Sequence, residues 1–206
     1  MKETSVNFFL NVLSVILGIA ITFSIQGLID RSKDKEDTRS ALELVRSELS
    51  NNIKDIGIMS DYLVQERKSA RYFLKNIDRI DKCPMDSINY HGGIIFADAS
   101  ITLSHDALEL LKMSSMFQKI GNNDLSMKII RAYDTCSSII SYLNRHLEDR
   151  NSQMIEQSGV SAFKDYLKSK SGVHTVRWLA NRADPTLFTD VTDIQDAIDA
   201  IDAYMK

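Results

Sequence analysis

From Thr4 to Ile29 the chain carries no charged residue and is apolar at almost every position. Beyond a charged stretch, Asp30 to Arg39, apolar residues recur in alternating steps of three and four. The first pattern predicts a single membrane-spanning helix; the second predicts a helix with one buried face. Crossing about 30 Å of hydrocarbon at about 1.5 Å per residue takes roughly 20 apolar residues, which Val6 to Ile29 supplies with some to spare. A cleavable secretory signal has a shorter apolar core and a small-x-small site, and Ser24-Ile25-Gln26-Gly27 is a poor match to one. A buried helix of a soluble protein seldom stays free of charge for so long. Residues 1–30 are therefore expected to be an uncleaved anchor, and residues 31–206 a separate helical domain.

Orientation follows from lysine and arginine near the ends of such a span. Lys2 stands alone on one side, whereas Arg31, Lys33, Lys35 and Arg39 stand on the other. Acids lie among them but weigh little in this rule. The expectation is a single-pass protein of the cell membrane with its C-terminal domain in the cytoplasm.

The span is not uniformly apolar. Asn7, Asn11, Ser14, Gly18, Thr22 and Gln26 follow one another at steps of four, three, four, four and four. On a helix these positions share one side. Ser14, Gly18 and Thr22 let backbones approach, and amides bonded across helices contribute roughly 0.6–2 kcal/mol each. Asn7 and Gln26 fall at the depths of the two headgroup layers, where polarity is ordinary, but Asn11 and Gly18 lie too deep for that. The stripe predicts a helix–helix contact in the membrane, with a second copy or with another membrane protein.

In the second pattern, Leu42, Val45, Leu49, Asn52, Ile56, Met59, Leu63, Glu66, Ala70, Phe73, Ile77 and Ile80 trace a seam in which only Asn52 and Glu66 are polar. This predicts one helix of about 40 residues. Leu44, Ile53, Tyr62 and Leu74 widen the stripe to the breadth of a bundle helix. Gly57 marks a possible bend, and Glu66 is expected at an edge or beside a basic partner. Pro84 is expected to end this helix. Tyr90-His91-Gly92-Gly93 then reads as a turn before a short strand or buried loop, Ile94-Ile95-Phe96. Ser104 is a fitting N-cap for a helix that stops near Gly121. Leu125, Ile129, Ala132, Tyr133, Cys136, Ile140, Leu143 and Leu147 define a further helix to about Ile155. Shorter ones are expected at 162–168, 173–181 and 193–205, the last opened by a capping box, Thr192-x-x-Gln195. The fold class is all-α: an N-terminal transmembrane helix continuing into a long helix that packs in a bundle.

Composition changes this picture little. With 8 Gly and 2 Pro in 206 residues, long helices with short connections are favoured. The net charge of −3 speaks against a general nucleic-acid binder, which carries a basic stripe. Cys83 and Cys136 fit one disulfide or two free thiols, and Cys136 falls on an apolar stripe. His91, His105, His146 and His174 lack metal-ligand spacing; His105 and Glu109 at i, i+4 match only as many exposed pairs do. Asp190, Asp193, Asp196, Asp199 and Asp202 repeat every three residues and so wind around a helix as a solvated face. The glycines near Tyr90 lack the lysine of a phosphate loop. Trp178 beside Arg177 suits core or cation–π packing. No catalytic residue, cofactor or metal is expected.

Two blocks of residues resemble a family of uncharacterised bacterial single-pass proteins, a domain of unknown function. The first comprises Leu17-Gly18-Ile19, Gln26, Asp30-Arg31-Ser32-Lys33, Glu48-Leu49 and Asn52-Ile53. The second runs from Leu111-Lys112-Met113-Ser114-Ser115 through Ile120, Asn123, Leu125 and Tyr133. The likeness covers roughly residues 10–55 and 105–135. It departs from the pattern where no aromatic stands near Leu28 and where Met116 replaces a common glycine. The resemblance implies membrane attachment and a paired-helix core, with no assigned activity. Two kinds of function are thus expected: a membrane-tethered interaction or scaffold module, or a ligand-sensing or enzymatic domain with a pocket between helices near Cys83, Tyr90 and His91.

Overall fold

The computed structural model describes the backbone of residues 2–114, 116–155, 163–182 and 184–206. Side chains are described for these residues from Lys33 onward, except 153–155. Within this range the protein is all-helical, at 85% helix with no strand. One helix, α1 (Lys2–Asn76), runs 75 residues, roughly 110 Å at 1.5 Å per residue. The charged stretch at 30–39 does not interrupt it. It ends in a short 3-10 segment, Ile77–Lys82, ahead of Pro84. Then come α2 (Met85–Ile95), α3 (Asp106–Met113), α4 (Met116–Lys119), α5 (Asn123–Ile155), α6 (Phe163–Lys168), α7 (Lys170–Asn181) and α8 (Thr192–Tyr204).

Among the residues with described side chains, no helix is long and apolar enough to cross a membrane. The anchor expected over residues 1–30, and with it the stripe of Asn7, Asn11, Ser14, Gly18, Thr22 and Gln26, lies outside those residues.

The seam along α1 is buried as its spacing predicts: Leu42, Val45, Leu49, Asn52, Ile56, Met59, Leu63, Glu66, Ala70, Phe73 and Ile80 all turn inward. The seam feeds two apolar cores. The first joins α1 at Ala41–Leu63 to Leu108 and Leu111 of α3, the inner face of α5 from Leu125 to Leu147, and Ile194, Ala197, Ile198 and Ile201 of α8. The second joins Ala70 and Phe73 to Ile88 and Ile95 of α2, Tyr166 and Leu167 of α6, and Val176, Leu179 and Ala180 of α7.

Cross-links fix the directions. Asn52 meets Cys136 and Glu66 meets Arg150, so α5 runs parallel to α1. Arg71 bonds the Ala180 carbonyl, Arg67 pairs with Asp184, Ser60 meets Thr189, and Arg46 pairs with Asp202. The chain from α7 through α8 therefore returns antiparallel along α1. Lys119 reaches Asp34 at 2.7 Å, which brings α4 up to the start of the described side chains on α1.

Local chemistry explains three of the boundaries. Gly121 takes φ 63°, a left-handed backbone that glycine adopts without strain, and closes the turn after α4. The Asn122 side chain accepts the Leu125 N–H at 3.1 Å and opens α5. Ser169 does the same for Gly172 in α7.

Several expectations need correction. Tyr90-His91-Gly92-Gly93 is no turn, and Ile94–Phe96 is neither strand nor buried loop; all but Phe96 belong to α2. Gly92 is buried because its missing Cβ admits the Phe163 ring. Gly57 sits in open space on α1 without breaking the helix. Leu44 is 52% exposed and does not widen the seam. The N-cap position of α3 is His105 rather than Ser104. No capping box opens α8: the Thr192 N–H and hydroxyl both turn to Asp190, and Gln195 bonds Asp199.

Candidate functional site

The boundary between the two cores is polar. Glu66, one turn beyond Leu63 and one turn before Ala70, is only 2% exposed. Its Oε1 accepts from Arg150 Nη1 at 3.1 Å, and its Oε2 lies 2.7 Å from His146 Nε2. Arg150 also donates to the Tyr62 hydroxyl, which donates in turn to the Ile94 carbonyl at 3.0 Å. Asn151 accepts from Arg150 Nε and Nη2. His146 stacks on Trp178 of α7, and Arg182 lies 4.4 Å over the same indole. One cluster thus ties α1, α2, α5 and α7 together where neither core reaches.

The expected basic partner of Glu66 exists, but in the interior and not at an edge. A buried carboxylate costs several kcal/mol to desolvate, and a guanidinium with further hydrogen bonds is what offsets that cost. Burial, with the Glu66 carboxylate second, pushes the Tyr62 hydroxyl up to about 12. His146 Nδ1 is buried with no hydrogen-bond partner. Carboxylate, imidazole, guanidinium and phenol suit proton chemistry by type, and Arg150 at 1% and His146 at 4% exposure are buried among the described residues. The cluster joins α1 to α2, α5 and α7.

A second polar group anchors α3. Glu48 of α1 accepts from the Ser104 hydroxyl at 2.6 Å, from the Ala107 N–H at 3.1 Å and from the Tyr133 hydroxyl. The carboxylate of one helix thus caps the first turn of another, where free N–H groups and the helix dipole favour an anion. Asn52, 1% exposed, holds both backbone groups of Ser104, giving its amide to the carbonyl at 2.8 Å and taking the N–H at 3.0 Å. Burial and the Glu48 bond drive the Tyr133 hydroxyl well above the usual phenol range. Burial also pushes the Cys136 thiol up to about 11, so it stays protonated and unreactive. Between α1 and α3 lies an open groove of about 430 Å³, with Glu48, Asp55 and Asp106 among its lining residues.

The remaining candidates are scattered. His91 stacks on Tyr72 at 4.0 Å and meets the Ser69 hydroxyl at 3.0 Å, while burial lowers its pKa below the usual imidazole value. Tyr90 points outward at 62% exposure. Cys83 and Cys136 are both free thiols, one half-buried and one buried. Glu109 pairs with Lys112 rather than joining His105. No group of three or more His, Cys, Asp or Glu suited to a metal ion occurs among the described residues. Trp178 takes its cation–π contact from Arg182, not from its neighbour Arg177.

Neither polar cluster was foreseen as a unit. Their signals were Asn52 and Glu66, the two polar breaks in an apolar seam, whose partners 52 or more residues away no spacing rule supplies. Glu48, Asn52 and Tyr133, three positions of the resemblance described above, meet at one place. Comparison with protein-family models, with curated proteins and with solved structures finds no match for this chain.

Proposed function

We propose that the protein is a single-pass, membrane-tethered interaction module. Its helical bundle hangs on the cytoplasmic side, and its polar stripe of Asn7, Asn11, Ser14, Gly18, Thr22 and Gln26 contacts a second copy or another membrane protein. The observation that carries this reading is that the uncharged run Thr4–Ile29 lies on the same unbroken helix as the spine of the bundle. No flexible linker intervenes, so a tilt or rotation of the span moves the spine with it. The burial of the Glu66–His146–Arg150 cluster supports a module over an enzyme.

Two measurements on the full chain test it. After alkaline carbonate extraction of membranes the protein stays in the pellet; release into the supernatant removes the anchor. In a membrane two-hybrid assay, Gly18→Leu combined with Asn11→Leu weakens association of the span several-fold, since each interhelical polar contact contributes roughly 0.6–2 kcal/mol. Unchanged association removes the stripe as the contact.

A further inference from the structure

We infer that the groove between α1 and α3 receives a cationic, amphipathic segment of a partner protein. Charge complementarity carries the argument. Glu48, Asp55 and Asp106 line the groove, and no lysine or arginine is among its lining residues. Glu48 is pinned in the floor by three donors, so its charge is fixed in place. Asp55 lies exposed above it, and Asp106 is held only by a 3.4 Å contact from Ser104. Carboxylates gathered in one concave, partly desolvated surface attract cations far more strongly than the same charges spread over a convex face.

The apolar part of the partner follows from the walls. Leu44 at 52% and Leu110 at 48% exposure border the groove from α1 and α3. Two half-exposed leucines beside carboxylates match a helix that carries Lys or Arg next to an apolar side chain. The groove opens to solvent along one side, so it would enclose too little of a small amine. Two copies meeting groove to groove would bring carboxylates against carboxylates with no Lys or Arg in the lining, which disfavours a second copy as the occupant. The inference stands on the groove alone and does not depend on the anchor.

The probe is a fluorescent, soluble amphipathic Leu/Lys peptide of about four helical turns, titrated by anisotropy against the full chain in zwitterionic nanodiscs, with empty nanodiscs as reference. Saturable binding above that reference is expected, weakening about tenfold in Asp55→Asn with Asp106→Asn and again in Leu110→Ser. Asp196→Asn with Asp199→Asn on α8 removes the same charge elsewhere and should leave binding unchanged. A photo-crosslinker at Asn51 should capture the peptide. Binding no better than to empty nanodiscs, or an equal loss from the α8 pair, overturns the inference. Asp55 and Leu110 are exposed, so their single variants remain decisive if the Asp106 variant folds poorly.

Discussion

The two cores strung along α1 are built on different principles. The one nearer the apolar run is aliphatic: long faces of α1, α5 and α8 meet through Leu, Ile, Val and Ala, and its polar insertions, Glu48 and Asn52, serve to seat α3. The far core is made from short helices and rings. Phe73, Phe163, Phe96, Tyr166, Tyr72 and His91 contact one another edge-on or stacked, and Gly92 and Gly172 leave room for the Phe163 ring and the Tyr166 backbone. Long helices bury surface through periodic faces, and a side chain there trades volume with its neighbours. Short helices lack enough face, so they rely on large aromatic groups and on close approaches that tolerate no added atom.

Removing what separates the cores should have the largest effect. Glu66→Leu strands the Arg150 guanidinium, 1% exposed, without its carboxylate, and should cost about 3–5 kcal/mol in chemical denaturation. Replacing Glu66, His146 and Arg150 together by leucine and methionine should cost far less, because no unpaired charge remains. Trp178, the sole tryptophan, stacks on His146 and reports the junction by its fluorescence. If the triple variant is as damaged as Glu66→Leu, charge pairing is not what the junction provides.

Glycine substitutions sharpen the contrast next. A Cβ on Gly172 would sit 2.1 Å from the Tyr166 carbonyl oxygen, a backbone atom, so Gly172→Ala should destabilise by about 3 kcal/mol. Gly92→Ala meets the Phe163 ring at 2.7 Å; the ring can swing aside, and the loss should be about 1–2 kcal/mol. Gly57→Ala, in open space beside the aliphatic core, should instead raise stability by about 0.5–1 kcal/mol. Equal effects at Gly57 and Gly172 would erase the distinction between the cores.

The smallest effect is with pH. His91 in the aromatic core titrates lower when folded than when unfolded, so its contribution is present above about pH 6.5 and lost as pH falls below it. Tyr62 and Cys136 titrate higher when folded. Their contribution is present at neutral pH and lost as pH rises from about 9 toward 12. Thermal melts of the wild type and of His91→Phe should differ in slope on the acid side alone.

The aliphatic core was legible in the sequence because its helices are long enough for a period to establish itself. The steps from Leu42 to Leu63 and from Leu125 to Leu147 mark inward positions well. The far core was legible only in part: Ala70, Phe73 and Ile80 lay on the seam and helices were expected at 162–168 and 173–181, but α2 was missed. Gly92 and Gly93 read as a turn because glycine usually ends helices, yet in α2 the close approach of Phe163 makes Gly92 a packing residue. Of the polar groups, Asn52 and Glu66 announced themselves as interruptions of a seam. Glu48 stood outside it and was marked only by the resemblance, since its role depends on α3 being folded across it.

The spine of the bundle is α1 running as one rod from the charged stretch, along the aliphatic core, to the junction at Glu66. Spin labels at Glu36 and Lys68, both exposed on α1, with Cys83 and Cys136 replaced by serine, test this in liposome-reconstituted protein. A continuous helix puts their attachment points about 48 Å apart at 1.5 Å per residue, and double electron–electron resonance should return one narrow distribution near that distance. A broad distribution, or a main peak well short of it, would mean that the spine bends alongside the aliphatic core and would contradict a single rod.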